Sequence, residues 1–394
     1  MTATVRLRPD PETRRRTLHR LLGHLRDGTT DSSEEIEHFE ARDYSDVGIA
    51  EAERDRVFGV VPFIAAHESE LPNTHDFVAV TLPRNEVILT RQPDGAVRAF
   101  VNACRHRGAK VVDTESGNCR VFSCPYHRWS YGTDGALRSV PLDNTFGDFD
   151  HSDFGLVELP AEVRHGFVWV IDRAGVDIDL AAWLGEETEA ILSGYGMDKL
   201  VSVTPHRFEH SANWKIMQDG FLDNYHVKFA HPTTAGAVLH TNAVALEDFG
   251  RHFWFLTARK SLDRFLDQDP GNETVAKDLI ESCFVAPNSM FLIHATHVEL
   301  LTFRPCGADP GRSIMELRIL APKRQTLGMS EERWQQLWEK NWKIIISIIH
   351  DEDFPILAAS QRAMENQDVG SMLLGRNELA SHLFRREVRR LLNA

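Results

Sequence analysis

The chain has 394 residues, 42% of them hydrophobic and 26% charged, globular proportions that exclude a disordered, collagen-like or coiled-coil polymer. Lys and Arg number 44 against 58 Asp and Glu, a net charge of −14, and a field of that sign repels phosphate backbones, which excludes nucleic acid as a partner class. No apolar run approaches the roughly 20 residues of a membrane-spanning helix, and five unevenly spaced cysteines are no secreted disulfide framework, so a soluble, cytoplasmic chain is expected.

In chain order, Leu18, Leu21, Leu22 and Leu25 recur at helical spacing among Arg14, Arg15, Arg16, Arg20 and Arg26. Asp10, Glu12 and Asp27 argue against an organelle transit peptide, so the segment reads as an amphipathic helix packed on the body of the protein and ended at Gly28. From about 57 to 170 the texture changes to short β-rich runs cut by Gly, Pro, Asn and Asp: 77–82, 86–90, 97–101, 121–123 and 167–170. Beyond 172, helical periodicity over 179–192, 215–229, 331–349 and 358–364 alternates with strand-like runs over 201–208, 252–258, 289–303 and 314–321. The expected fold class is therefore α+β: a small all-β unit followed by a larger domain of mixed helices and strands.

The β unit carries the first constellation. Cys104-x-His106 is followed after residues 107–123 by Cys124-x-x-His127, each pair short enough for one turn to present both side chains. Cys₂His₂ is a common structural zinc set, but zinc fingers group the two Cys and the two His, whereas here each pair is mixed. A Rieske centre needs two thiolates on one iron and two imidazoles on the other, and two mixed pairs supply one of each per loop. Cys119, Cys283 and Cys306 read as ordinary thiols.

These residues, with the surrounding NACRHRGA and CPYHRWSY, resemble the Rieske motif of the Rieske non-heme iron oxygenases. The resemblance implies a [2Fe–2S] cluster held by Cys104, His106, Cys124 and His127. One departure is Arg128, where the family more often has Gly.

The second constellation lies in NWKIMQDGFLDNYHVKFAHP. His226 and His231 are five apart, about 140° around an ideal helix, so they share no face of one. Pro232 pushes His231 out of the α region, so the helix should end there and free the imidazole to swing back toward His226. With one carboxylate they would form the 2-His-1-carboxylate set of a mononuclear Fe(II) site. Residues 351–353 are the natural source, and spacing alone leaves Asp351, Glu352 and Asp353 open. The segment EDFPILAASQ is similar to the family's, in which the Asp ligates; this implies Asp353, with Gln361 as its companion. His294 and His297 are expected on opposite faces of a strand, so they cannot both bind one metal, and His206 and His210 lie too far apart for one ion; all four are expected to be solvated or hydrogen-bonded.

Asp223, three residues before His226, would share its helical face and hold its imidazole. In the family, which the chain resembles from about 57 to 353, an acidic residue here links the iron to a neighbouring subunit's cluster. Gln218-Asp219 departs from the family's more usual Glu-Asn.

The resemblance implies an N-terminal helical segment over 1–44 packing on the catalytic domain, an all-β Rieske domain over 45–171, and a catalytic domain over 172–394 built as a helix-covered antiparallel sheet. It implies a terminal oxygenase that takes electrons from a ferredoxin or flavin reductase and uses O₂ at Fe(II) to hydroxylate a small organic substrate. Around the iron motifs lie Phe221, Phe229, Leu239, Phe253, Trp254, Phe255, Phe284 and Phe291; most of these are expected to be core, and an apolar pocket built from the rest suits an aromatic ring as substrate. Two alternatives stand beside it: a monooxygenase acting on a quaternary ammonium or methoxy compound, with these aromatics as a cage, and an iron–sulfur electron-transfer protein without oxygenase activity. No G-x-G-x-x-G follows a strand, so the nicotinamide or flavin belongs to a partner. The resemblance also implies a head-to-tail trimer, and since the chain is shorter than typical members that pair with a small β subunit, a homotrimer is expected, with a small β subunit as the other arrangement.

Overall fold

A computed structural model describes residues 11–271, 274–366 and 368–394. It divides into two compact units, one formed by the N-terminal stretch through Val57 together with Leu184–Ala394, the other by Phe58–Trp183.

The smaller unit is all-β. Strands Asp76–Thr81, Glu86–Arg91 and Val97–Val101 form the centre of a five-stranded antiparallel sheet. Separate three-stranded sheets are built from 121–123, 130–132 and 137–139 and from 63–67, 161–164 and 167–170. Phe77, Ile88, Phe100, Phe122, Trp129 and Tyr131 share one buried core with Cys104 and Cys124.

The larger unit is organised on a seven-stranded antiparallel sheet, in spatial order 200–210, 313–322, 298–305, 289–293, 279–285, 253–259 and 239–248. Every residue of Val298–Pro305 and Ser313–Pro322 is buried, as expected of central strands covered on both faces. Helix Trp214–Leu222 packs on these two strands, and helix Pro11–Asp27 packs on strands 239–248 and 253–259. The N-terminal helix buries Leu18, Leu21 and Leu22, each contributing about 1.5–3 kcal/mol of apolar burial. Arg14 of that helix pairs with buried Glu281, which also accepts from Tyr195 Oη at 2.7 Å. Since side chains alternate along a strand, Glu281 faces this helix while Ile280 and Ser282 face a cavity on the other side of the sheet.

Two expected elements are divided. The helix over 215–229 breaks at Asp223, which has extended backbone (φ −80°, ψ 111°) and ends Trp214–Leu222 before a short helix Val227–Ala230. The strand over 289–303 is two strands joined by a turn at 294–297. Helical periodicity and strand alternation both run through short breaks in an otherwise apolar segment, which is why they did not show.

Candidate metal centres

In the β unit two turns of the same construction carry the mixed pairs. Gly108 N donates to Cys104 O and Cys104 N to Ala109 O; Arg128 N donates to Cys124 O and Cys124 N to Trp129 O. Each turn needs a left-handed residue, supplied by Gly108 (φ 72°) and by Arg128 (φ 61°). This accounts for glycine as the usual residue at the second position: a side chain there costs about 1–2 kcal/mol. Arg128→Gly is expected to raise the stability of the β unit by up to about 1 kcal/mol, after the greater entropy of glycine in the unfolded chain is offset. Thermal melting of the two proteins, each with its full iron complement, checks this.

The turns bring His106 and His127 together, ring centroids 4.5 Å apart, with His106 stacked on Trp129 at 5.1 Å and His127 against Tyr126 at 3.9 Å, its ring tilted by 31°. Cys104 and Cys124 are buried. Tyr131 Oη lies 3.3 Å from Cys104 Sγ, and the Tyr126 and His127 N–H groups donate to Cys124 Sγ. Burial pushes the Cys124 thiol above its usual range, opposed by those N–H donors. N–H and O–H groups aimed at sulfur favour a thiolate, the form that ligates metal. Among the described residues, buried His106 Nδ1 has no hydrogen-bond partner, a nitrogen that an added metal would satisfy. Among the described residues, the sets of three or more donors lying within 4.8 Å of one another do not include this Cys/His four, whereas a single tetrahedral zinc with bonds of about 2.0–2.3 Å would draw its ligands closer than that. The residues fit a two-iron cluster better than one zinc ion. Cys119, beside this core, is raised by burial, and buried Cys283 is pushed up to about 12, as inert thiols are.

In the larger unit His226, His231 and Asp353 converge, one donor atom of each lying within 4.8 Å of the others. His231 Nε2 is 3.1 Å from His226 Nε2 and 3.0 Å from Asp353 Oδ1, and His226 Nε2 is 3.6 Å from that oxygen. Adjacent ligands of one ion with bonds of about 2.1 Å lie about 3 Å apart, so the spacing suits a metal. The short helix ends at His231, whose backbone (φ −120°, ψ 47°) has left the helical region before Pro232. Asp353 ends a π-helical turn, Ile349–Asp353, between helices Glu331–Ile348 and Phe354–Glu365, a backbone form often found at functional sites.

Glu352 is placed differently. Its Oε2 accepts from His231 Nδ1 at 2.5 Å and from Thr234 Oγ1 at 2.6 Å, so the two adjacent acids grip the same ring from opposite nitrogens. With Nδ1–H donated to Glu352, the neutral ring turns its Nε2 lone pair toward His226 and Asp353, the tautomer that a metal requires. Burial disfavours a charged His231, yet the Asp353 and Glu352 carboxylates outweigh it and raise its pKa; the site attracts positive charge. Asp351 is exposed and pairs with His350. Gln361 lies apart from this set: its Oε1 accepts from Asn213 N at 2.9 Å and its Nε2 donates to Tyr44 O.

Asp223 Oδ2 lies 3.3 Å from His226 Nδ1, without hydrogen-bond geometry, and that buried nitrogen has no hydrogen-bond partner among the described residues. The two residues meet through a turn and share no helix face, which corrects the helical placement while keeping the proximity. Asp219 is half-buried and accepts from Arg385 at 2.6 Å; desolvation raises its pKa against the pull of Arg385. Gln218 is fully buried, and neither amide atom has a hydrogen-bond partner among the described residues.

A second correction concerns His294 and His297. Because 294–297 is a turn, both rings fall on the same side, stacked with centroids 4.6 Å apart, and their Nε2 atoms lie 3.1 and 3.3 Å from Glu299 Oε1. Burial lowers the pKa of His297, and the two imidazoles outweigh burial to depress that of Glu299. Nothing in the local sequence except the small Ala295-Thr296 pair marked that turn.

Both sets line one cavity of about 620 Å³. Of the eight apolar residues noted around the iron motifs, Phe221, Leu239 and Phe255 line it; Phe253, Trp254, Phe284 and Phe291 are core, as expected of most of them, and Phe229 is exposed. Ile344, Ile345, Ile348 and Ile349 also line it.

Residues 61–150 match the Rieske [2Fe-2S] domain and residues 197–394 the ring hydroxylating alpha subunit (catalytic domain). The anthranilate 1,2-dioxygenase large subunit of Acinetobacter baylyi is 34% identical over 217 residues, 52% of this chain and 45% of that one; the matched stretch thus spans less than half of that relative. Naphthalene 1,2-dioxygenase from Rhodococcus sp., bound to indole, superposes with TM-score 0.73 at 20% identity over 96% of this chain and 98% of that one. A quaternary ammonium Rieske monooxygenase in complex with L-carnitine gives 0.71 at 20% identity over 90% and 95%. No helix among the described residues is long and apolar enough to cross a membrane. With one domain model covering half of its length and the Rieske model preceding it, the chain belongs to the ring-hydroxylating oxygenase alpha subunits.

Proposed function

We propose that the protein is the terminal oxygenase component of a multicomponent system, hydroxylating a small, largely apolar and aromatic substrate with electrons delivered by a ferredoxin or flavin reductase. The observation that carries this reading is the convergence of His226, His231 and Asp353 on the wall of an apolar cavity in a chain that also contains a Rieske domain. When bound, the cluster supplies electrons singly and the ferrous ion supplies open coordination positions for O₂ chemistry. His226, His231 and Asp353 would hold that ion, and Glu352 fixes the His231 tautomer. Phe221, Phe255, Ile344, Ile345, Ile348 and Ile349 line the cavity and would exclude water and bind an apolar body.

Anaerobic calorimetric screening of aromatic acids, arenes and betaines, followed by substrate-dependent O₂ uptake with a chemical reductant, tests the reading. Cluster iron without mononuclear iron would leave an electron-transfer protein instead. The second reading, attack on a quaternary ammonium compound, rests on the Glu299 carboxylate at the cavity wall. It is the weaker, because Glu299 Oε1 already faces two imidazoles and only two of the candidate cage aromatics line the cavity.

The proposed assembly is a homotrimer in which Asp223 bridges His226 to His127 of the next copy. Asp223→Asn keeps the size, but its NH₂ group accepts nothing from an imidazole. The expected outcome is a reducible cluster, retained mononuclear iron and normal substrate binding, with product formation slowed by more than about 100-fold in rapid mixing with O₂, the upper range for losing such an orienting carboxylate. Cluster oxidation at the wild-type rate would reduce Asp223 to a surface acid, and a competent monomer by light scattering would remove the trimer.

A further inference from the structure

The cavity wall opposite the helices is one face of the sheet. Phe255, Ser282, Leu292 and Glu299 stand in a single row across four strands, each paired with the next. Phe255, Thr257 and Arg259 alternate along one strand, so all three point to the cavity that they line. Arg259 is the only Lys or Arg in that lining. Among the described residues its guanidinium makes no hydrogen bond or ion pair, although it is half-buried. Burial lowers its pKa against the opposing pull of Glu299 and Asp278, and Asp278 is itself held by Ser261 and Arg264 at 2.6 and 2.7 Å.

The neighbouring polar cluster is differently placed. The two imidazoles converge on Glu299 Oε1, and Thr296 Oγ1 lies 3.0 Å from His297 Nδ1; a carboxylate shared between two rings accounts for this convergence with no ion between them. Besides His294 Nε2, which faces Glu299 Oε1 without a hydrogen bond among the described residues, the unclaimed hydrogen-bonding capacity at this end of the cavity is the five-donor guanidinium fork, which matches a carboxylate or sulfonate in geometry. A half-desolvated cation with no protein partner is costly to maintain, and a ligand anion would offset that cost.

We propose that Arg259 is the anchor for an oxyanion head group, so that the substrate class is an apolar, ring-sized body bearing one carboxylate or sulfonate. This rests on the reading of the cavity as the substrate site and names the chemistry that the site selects. Glu299 limits the head group to a single anionic function, since a second negative charge would face its carboxylate.

The test is calorimetric binding to the full-length, iron-loaded protein of three probes that share one ring system: 2-naphthoate, 2-naphthamide and 2-naphthylmethylamine. The expected result is naphthoate bound on the order of ten- to a hundredfold more tightly than the amide, the scale of a charge-assisted hydrogen bond. Arg259→Gln should bring that ratio to within about threefold while leaving the amide affinity nearly unchanged, and Arg259→Lys, which keeps the charge without the fork, should retain part of it. Thermal melting confirms that both variants are folded. An equal affinity for acid and amide, a preference for the amine, which would make Glu299 the anchor, a preference that survives Arg259→Gln, or no binding of any probe would each overturn the proposal. The outcomes separate from those of the oxygenase reading: the acid preference in a protein lacking mononuclear iron and turnover would leave the anchor and remove the oxygenase, and turnover without the preference would do the reverse.

Discussion

Replacing Asp353 by alanine is expected to remove the mononuclear iron and abolish product while the visible spectrum of the cluster is unchanged, because the two sets of donors belong to separate units. Asp353 Oδ1 is the only carboxylate oxygen of 351–353 that approaches both imidazole Nε2 atoms, at 3.0 and 3.6 Å. His226→Ala and His231→Ala should behave alike. Glu352→Gln is the informative contrast. It keeps the shape and one acceptor oxygen but removes the charge beside His231 Nδ1, so iron affinity should fall by about 10–100-fold, the usual effect of losing an orienting partner, with activity restored by excess Fe(II). Iron analysis after desalting, with and without added Fe(II), reads both effects. If Glu352→Gln loses iron beyond rescue while Asp353→Ala retains it, the two acids exchange roles.

The second large effect is expected at Cys124. Cys124→Ala should yield a colourless protein with no cluster iron and a β unit that melts at lower temperature, since ligands buried in a common core with Phe122, Trp129 and Tyr131 make cluster binding part of the folding free energy. The mononuclear iron should remain, because its donors come from residues 226–353. Tyr131→Phe gives a graded comparison: it removes the O–H beside Cys104 Sγ while keeping the ring packed, so the cluster assembles and its reduction potential falls as sulfur loses a hydrogen bond. Redox titration followed by visible absorbance measures the shift. A colourless wild type carrying zinc at this position would overturn the cluster assignment altogether.

The chemistry of both centres was legible in the sequence because it is written in short local patterns. Two mixed Cys/His pairs need only one turn each, and Pro232 ends a helix wherever the fold places it. The strands 86–91, 97–101 and 253–259 likewise follow from local alternation and apolar runs. What only the tertiary structure decided are the relations between segments far apart in the chain. Whether Asp351, Glu352 or Asp353 reaches His231 depends on a π-helical turn that rotates adjacent side chains to opposite sides of one ring, and no local propensity specifies that turn. His294 and His297 meet at Glu299 because four residues between two strands form a hairpin turn, which a strand period reads straight through. Gln361, similar to a family position near the metal, is fixed by Asn213 and Tyr44, and Arg259 became notable only when folding left it facing an apolar cavity with no partner among the described residues. Ligand identity is a property of residue type and spacing; ligand geometry, and the polarity of the cavity around it, belong to long-range packing.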